Sequence, residues 1–215
     1  MPSHEPSFGK VIEFPVKRQR PQLNHNTQTS PTVSSISSAY LAMLLFIGSE
    51  AMLFAGLLAV YVALRFGSLH WPPAHLYLPI RVTWINTAFL MLSCYTMRQA
   101  LLAGRADNQE KLASFLSITG FFGILFLCIQ GYEWAQILHE GVMTKARIYG
   151  STFYLLIGCH ALHVLGAVVW LWVVIRWAKH GQLRASYLMR AELCGLYWYF
   201  VGAVWAILFP LVYLS

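Results

Sequence analysis

Charge is what this sequence has least of. Asp, Glu, Lys and Arg make up 11% of its 215 residues and 58% are hydrophobic, whereas an ordinary soluble domain carries roughly 25% charged residues. That scarcity excludes a soluble domain and points to a chain embedded in lipid. A pair of cysteines at C-x-x-C spacing is also missing: Cys94, Cys128, Cys159 and Cys194 stand apart within apolar runs and read as small apolar fillers, not as disulfide or zinc-ribbon partners. No internal repeat and no glycine-rich phosphate loop is found.

What remains is apolar runs. A hydrocarbon core of about 30 Å takes roughly 20 mostly apolar residues per helical crossing. Five such runs are found, Ser38 to Leu64, Leu78 to Ala103, Leu112 to Leu138, Gly150 to Trp177 and Ala191 to Leu214. The expected fold is all-α, a polytopic membrane protein whose short connections favour a compact up-and-down bundle of five helices. Residues 1–37 are rich in Ser, Thr, Pro, Gln and Asn and lack the apolar core of a cleavable signal peptide; they read as a flexible tail ahead of a membrane domain at 38–215. In the first loop, Pro72, Pro73 and Pro79 stop helix continuation, and Trp71 and Tyr77 suit the membrane interface.

Basic residues orient the bundle. With the N-terminus inside, eleven Lys and Arg fall on the inner side, Lys10, Lys17, Arg18, Arg20, Arg98, Arg105, Lys111, Arg176, Lys179, Arg184 and Arg190, against four outside, Arg65, Arg81, Lys145 and Arg147. The positive-inside rule then gives a cytoplasmic N-terminus and an outer C-terminus. The net charge of +7 thus reports topology and gives no reason to invoke nucleic acid.

Small residues draw stripes. Ala51, Ala55, Ala59 and Ala63 recur every four residues on the first helix, and Gly202 and Ala206 do so on the fifth. Such stripes let helices approach closely. Packing within the bundle is the simpler expectation; contact with another subunit is the sharper one.

Polar groups inside the membrane are the candidate site. Glu50 sits near the middle of the first span, where a bare carboxylate costs on the order of 2.5 to 3.5 kcal/mol; a neutral carboxyl donating one hydrogen bond is the least costly state. In the stretch GCHALHVLGA, His160 and His163 lie three apart, about 60° around the helix and therefore on one face. Cys159 adds a third donor type, but ligands from one helix do not complete a tetrahedral metal site, and the other spans offer no second His. Hydrogen bonding is the expected role of both imidazoles. Glu50 and His163 match in depth, so a carboxyl–imidazole contact between spans one and four is expected, with His160 the alternate partner. Secondary polar positions are Asn86, Gln130, Glu133 and Glu192. Glu133 and Glu192 read as interfacial acids with water access, and Glu192, placed in the first turn of span five, also suits the helix dipole. No nucleophile arrangement or complete ligand set supports a stand-alone enzyme, and no paired broken helices support a carrier.

GSEAMLFAGLLAVYVALR, the WPP after it, INTAFLMLS, QGYEW, YGSTFYLLIGCHALHVLGA and AELCGLYWYFVGAVWAILF resemble, in order, segments of subunit III of the haem-copper terminal oxidases, the cytochrome c oxidase subunit III family. The resemblance covers roughly residues 38 to 214 and is closest to the short, five-helix bacterial form. It implies a noncatalytic core subunit of a proton-pumping complex of aerobic respiratory electron transport in the bacterial cytoplasmic membrane. Haem and copper would lie in partners, the catalytic subunit I and subunit II, with a small subunit IV as a further partner. This chain would hold no metal and would bind phospholipid. It implies that Glu50, His160 and His163 face a lipid or oxygen route, and that the side covered by two extra helices in longer members is open or filled by another chain. Two positions depart from the family pattern: Tyr199 stands where a His is usual and Gly202 where an Asp is usual, which removes an ionisable pair. Ala161 replaces a usual Gly. A relative associated with a nitric oxide reductase is the alternative, since oxygen and nitric oxide chemistry both belong to another subunit.

Overall fold

The computed structural model describes residues 32–67, 80–139, 147–179 and 184–213. All of its regular structure is helical: α1 Thr32–Phe66, α2 Ile80–Arg105, α3 Gln109–His139, α4 Arg147–Lys179 and α5 Arg184–Tyr213. Residues 1–31 of the expected tail and the proline-bearing first loop lie outside the described residues. The last part of that tail, 32–37, already belongs to α1, because TVSSIS continues directly into the apolar run with no Pro or Gly to stop it.

α1, α3, α4 and α5 are long and apolar enough to cross a membrane, with spans Ser38–Phe66, Gln109–Gln136, Ser151–Ala178 and Tyr187–Tyr213. α2 falls short on hydropathy although its 26 residues reach about 39 Å at 1.5 Å per residue. The reason is where its polar residues point. Thr83, Asn86, Ser93 and Thr96 are buried, while Val82, Trp84, Ile85, Leu92 and Tyr95 are exposed. These polar residues lower the mean hydropathy of α2, and because they face inward the helix still offers lipid an apolar surface.

The five helices are not equivalent. α2 packs on α3 and α5, α3 on α4, and α4 on α5, closing a four-helix ring; α1 lies outside it against α4 and α5. α5 contributes most to the interior, with Trp198, Val201, Trp205 and Leu208 buried beside Phe126 of α3 and Leu171 of α4. Indole N–H groups pin α5 to α2: Trp198 Nε1 donates to Ser93 Oγ at 3.1 Å and Trp205 Nε1 to Thr87 Oγ1 at 3.0 Å. The ring approaches closely where side chains are absent, since a Cβ on Gly123 would stand 2.5 Å from the Trp198 ring.

The loop expected at Gly104 to Lys111 shrinks to a tight turn. Asp107 takes a left-handed φ of 66°, a conformation that a short polar side chain tolerates. Asn108 N–H bonds back to Ala103 O at 2.9 Å, and Asn108 Oδ1 caps α3 by accepting from Lys111 N at 3.0 Å.

The alanine stripe of α1 does not pack within the bundle. Ala51, Ala55, Ala59 and Ala63 are all exposed, along with Gly48 and Gly56. α1 turns its large residues Met43, Phe54 and Tyr61 toward the ring, where they bury more apolar area than alanine would, so the small-residue face is left outward.

Candidate functional site

The deepest polar contact between α1 and the ring joins Glu50 to His163. Glu50 Oε2 and His163 Nε2 are 2.7 Å apart, with both side chains mostly buried. The other ring nitrogen fixes the chemistry: His163 Nδ1 lies 2.7 Å from the Cys159 carbonyl oxygen one turn earlier. A carbonyl only accepts, so Nδ1 carries hydrogen. One further proton then lies between Nε2 and the carboxyl. On the carboxyl it makes acid and neutral imidazole; on the ring it makes carboxylate and imidazolium. Both arrangements are net neutral, which is what a low-dielectric setting demands of an acid. Phe54, one turn along α1, packs edge-on against His163 at 5.0 Å between ring centroids and closes that side of the pair.

His160 does not share this role. It is 1% exposed, stacks on Trp205 at 5.0 Å and 26°, and meets Phe126 and Phe54 edge-on at 6.2 and 6.3 Å. Neither ring nitrogen has a hydrogen-bond partner among the described residues. The hydrogen bond expected of both imidazoles is therefore made by His163 alone, because the 60° between them turns His160 inward among aromatic rings while His163 faces α1.

Asn86, Gln130 and Glu133 converge elsewhere, between α2, α3 and α5. Asn86 Nδ2 donates to Gln130 Oε1 and to the Phe126 carbonyl, each at 3.3 Å. Gln130 Nε2 donates to Glu133 Oε2 at 3.4 Å and to Tyr213 Oη at 3.2 Å. Thr83 Oγ1 donates to Glu133 at 3.1 Å. Glu133 is buried, so the water access expected for it is wrong: position along the helix put it near an interface, but the face it occupies is turned into the ring.

Glu192 also sits differently from expectation. α5 begins at Arg184, two turns before Glu192, so the first-turn dipole contact is unavailable. Instead Glu192 accepts from Arg105 Nε of α2 at 3.0 Å and from Tyr40 Oη of α1 at 3.0 Å. The carboxylate thus ties three helices at one end of the bundle. Beside it, Arg190 lies over the Trp177 ring at 4.3 Å, linking α5 to α4. Among the described residues, no three His, Cys, Asp or Glu side chains gather as a metal site.

Comparison with known proteins supplies the context for this geometry. The chain matches the family described as Cytochrome c oxidase subunit III over residues 23–215. It is 31% identical over 189 residues to a probable cytochrome c oxidase subunit 3 of Nocardia farcinica (strain IFM 10152), covering 87% of this chain and 93% of the relative. The chain belongs to the cytochrome c oxidase subunit III family. Similarity extends to the cytochrome c oxidase subunit 3 of Bacillus subtilis (strain 168), at 33% over 177 residues, 81% of this chain and 85% of that one. It extends also to a heme-copper oxidase subunit I+III of Aeropyrum pernix (strain ATCC 700893 / DSM 11879 / JCM 9820 / NBRC 100138 / K1), at 33% over 181 residues, 80% of this chain and 22% of the fusion. As a subunit III, the chain is a multi-pass membrane component of a haem-copper terminal oxidase and associates with its catalytic subunits.

The two departures within this subunit III have a structural side. A Cβ on Gly202 would lie 2.7 Å from Cys94 Sγ of α2. The cysteine occupies the space that a side chain at 202 would need, so the glycine and Cys94 go together. Tyr199 is half-buried against the core. The residues that sequence reading missed are partners of those it found: Thr83 and Tyr213 for the Glu133 cluster, Arg105 and Tyr40 for Glu192. No spacing along the chain signals them, since each pair joins different helices; the only cue was that every intramembrane acid needs a donor.

Proposed function

We propose that this subunit III is noncatalytic and serves the oxidase by holding a structured lipid- and partner-facing surface against catalytic subunit I. The observation that carries it is the Glu50–His163 bond. The Glu50–His163 pair is spent on docking α1 to α4, and among the described residues no substrate-facing constellation of acid, base and nucleophile accompanies it. His163 has both nitrogens engaged and His160 is enclosed by rings, so the donor set does not suit a metal, and haem and copper are assigned to the partner subunits.

Docking on the complex falls to α1. Its outward face of Gly48, Ala51, Ala55 and Ala59 allows a neighbouring transmembrane helix to approach closely. Subunit II and a small subunit IV complete the set of partners, and phospholipid fills the surface that remains, beside a route for oxygen. The excess of Lys and Arg on one side supports a cytoplasmic N-terminus in a bacterial cytoplasmic membrane.

The test is purification from native membrane in mild detergent. Co-elution with a haem-containing large subunit is the expected result, with metal in that subunit and none retained by the separated chain. A monodisperse, haem-free chain that turns over substrate alone overturns the proposal, as does a stoichiometric metal lost on His163→Ala.

A further inference from the structure

Arg98 of α2 carries a charge on the outer surface of the ring. Its side chain is exposed, and among the described residues no carboxylate pairs with it and no hydrogen bond engages its guanidinium. Depth makes this costly. α2 runs Ile80–Arg105, so Arg98 stands about 10 Å along the axis from Arg105 and about 8 Å from the helix middle at 1.5 Å per residue. The second distance is well inside the half-thickness, about 15 Å, of a hydrocarbon core. Direction adds to the cost. The Cα–Cβ bonds of a helix tilt toward its N-terminus, so the Arg98 side chain sets out toward the membrane middle, away from the end where Arg105 meets Glu192.

The surroundings of Arg98 are those of a contact surface. Tyr95, one turn earlier on the same exposed stripe of α2, is 56% exposed, and Tyr199 of α5 lies within electrostatic reach of the guanidinium. Farther along the seam between α2 and α5 the side chains become small: Gly202 lies against Cys94, and Ala203 and Ala206 are exposed. α1 touches α4 and α5 but not α2, so it leaves this seam uncovered. Tyr and Arg are the usual anchors of protein interfaces, and exposed small residues beside them admit a helix backbone. Charge decides which helix fits. A guanidinium at this depth requires a partner group; the described residues of this chain supply none, so a carboxylate of a neighbouring chain is the complement.

We infer that the α2–α5 seam docks a transmembrane helix of another oxidase subunit, and that an Asp or Glu on that helix pairs with Arg98. Tyr95 flanks the ion pair, and the partner backbone runs over Ala203 and Ala206. This rests on the oxidase-subunit reading and adds a second docking face, across α5 from the small-residue face of α1.

The test uses the whole complex in native membranes, with the photoreactive residue benzoylphenylalanine in place of Tyr95 and adducts mapped on peptides after irradiation. The adduct is expected on a transmembrane peptide of another oxidase subunit, with an Asp or Glu within one helical turn of the attachment point. The same probe in place of Ile124, 53% exposed on α3, gives the level of unspecific labelling. Substitution of Arg98 then gives the sign. If Arg98 faces lipid alone, Arg98→Leu removes a costly charge and leaves assembly unchanged or stronger. If it is paired, Arg98→Leu strands the partner's carboxylate, and retention of that subunit in mild detergent should fall by about tenfold or more, while Arg98→Lys keeps most of it. Arg98→Glu combined with Arg at the crosslinked acid should restore retention. Labelling no higher than at position 124, adducts confined to phospholipid or to a second copy of this chain, or an Arg98→Leu complex that keeps every subunit overturns the inference. Haem co-elution in the same preparation reports separately on the proposed function: a haem-bearing complex without the expected adduct sinks only this docking face.

Discussion

Glu50 and His163, 113 residues apart in sequence, meet at 2.7 Å with His163 Nδ1 bonded in turn to the Cys159 carbonyl. α1 lies outside the four-helix ring, and this contact and the Tyr40–Glu192 bond are polar attachments that tie it to α4 and α5.

Removing one partner of the deeper attachment strands the other. Glu50→Leu or His163→Leu is expected to cost about 1–3 kcal/mol, read as a lower unfolding temperature of the solubilised complex and loss of subunit III during purification. Glu50→Gln keeps size and a donor and should assemble normally. Turnover in that variant should change only modestly; an assembled Glu50→Gln complex that loses nearly all oxygen reduction would place Glu50 in the chemistry.

At Gly202 the expected outcome is steric. Gly202→Asp forces a Cβ into Cys94 Sγ, an overpacking that costs on the order of 1–3 kcal/mol. Cys94→Ala should recover part of the loss in the double variant. Additive losses in a double-mutant cycle would show that the two positions do not compete for the same space.

The buried Glu133 cluster should respond more strongly than its place near a helix end implies. Glu133→Leu removes the acceptor of the Thr83 hydroxyl and of one Gln130 N–H, and a buried donor that loses its acceptor costs about 1–3 kcal/mol. Glu133→Gln, which keeps an oxygen for Thr83, should lose clearly less. Thermal unfolding followed by tryptophan fluorescence compares the two; equal losses would argue that shape, not hydrogen bonding, is what the site requires.

Arg105→Ala should do little. The guanidinium is largely exposed, and exposed ion pairs contribute about 0–1 kcal/mol. Tyr40→Phe, Arg105→Ala and Glu192→Gln are expected to leave assembly intact at low salt and at high salt. Loss of subunit III from the complex in any of them would make this end of the bundle a principal anchor.

Membrane residence, helical architecture and family were settled by the chain itself. Their signals are local: apolar runs of spanning length, scarcity of charge, and motifs such as GSEAMLF and YGSTFYLLIGCHALHVLGA are read along one segment at a time. The pairing of Glu50 with a span-four histidine was within reach too, because depth in the bilayer is nearly a linear function of position along a helix. Rotation about the helix axis was not. Which way each helix faces depends on which neighbours bury the most apolar surface, a property of all five helices together. That is why Glu133 lies inside the ring, why His163 and not His160 meets Glu50, why the alanine stripe of α1 faces outward, and why α2 hides its Thr, Asn and Ser. Tertiary packing decided those orientations, since lipid rewards an apolar exterior and leaves polar side chains to find their partners within the protein.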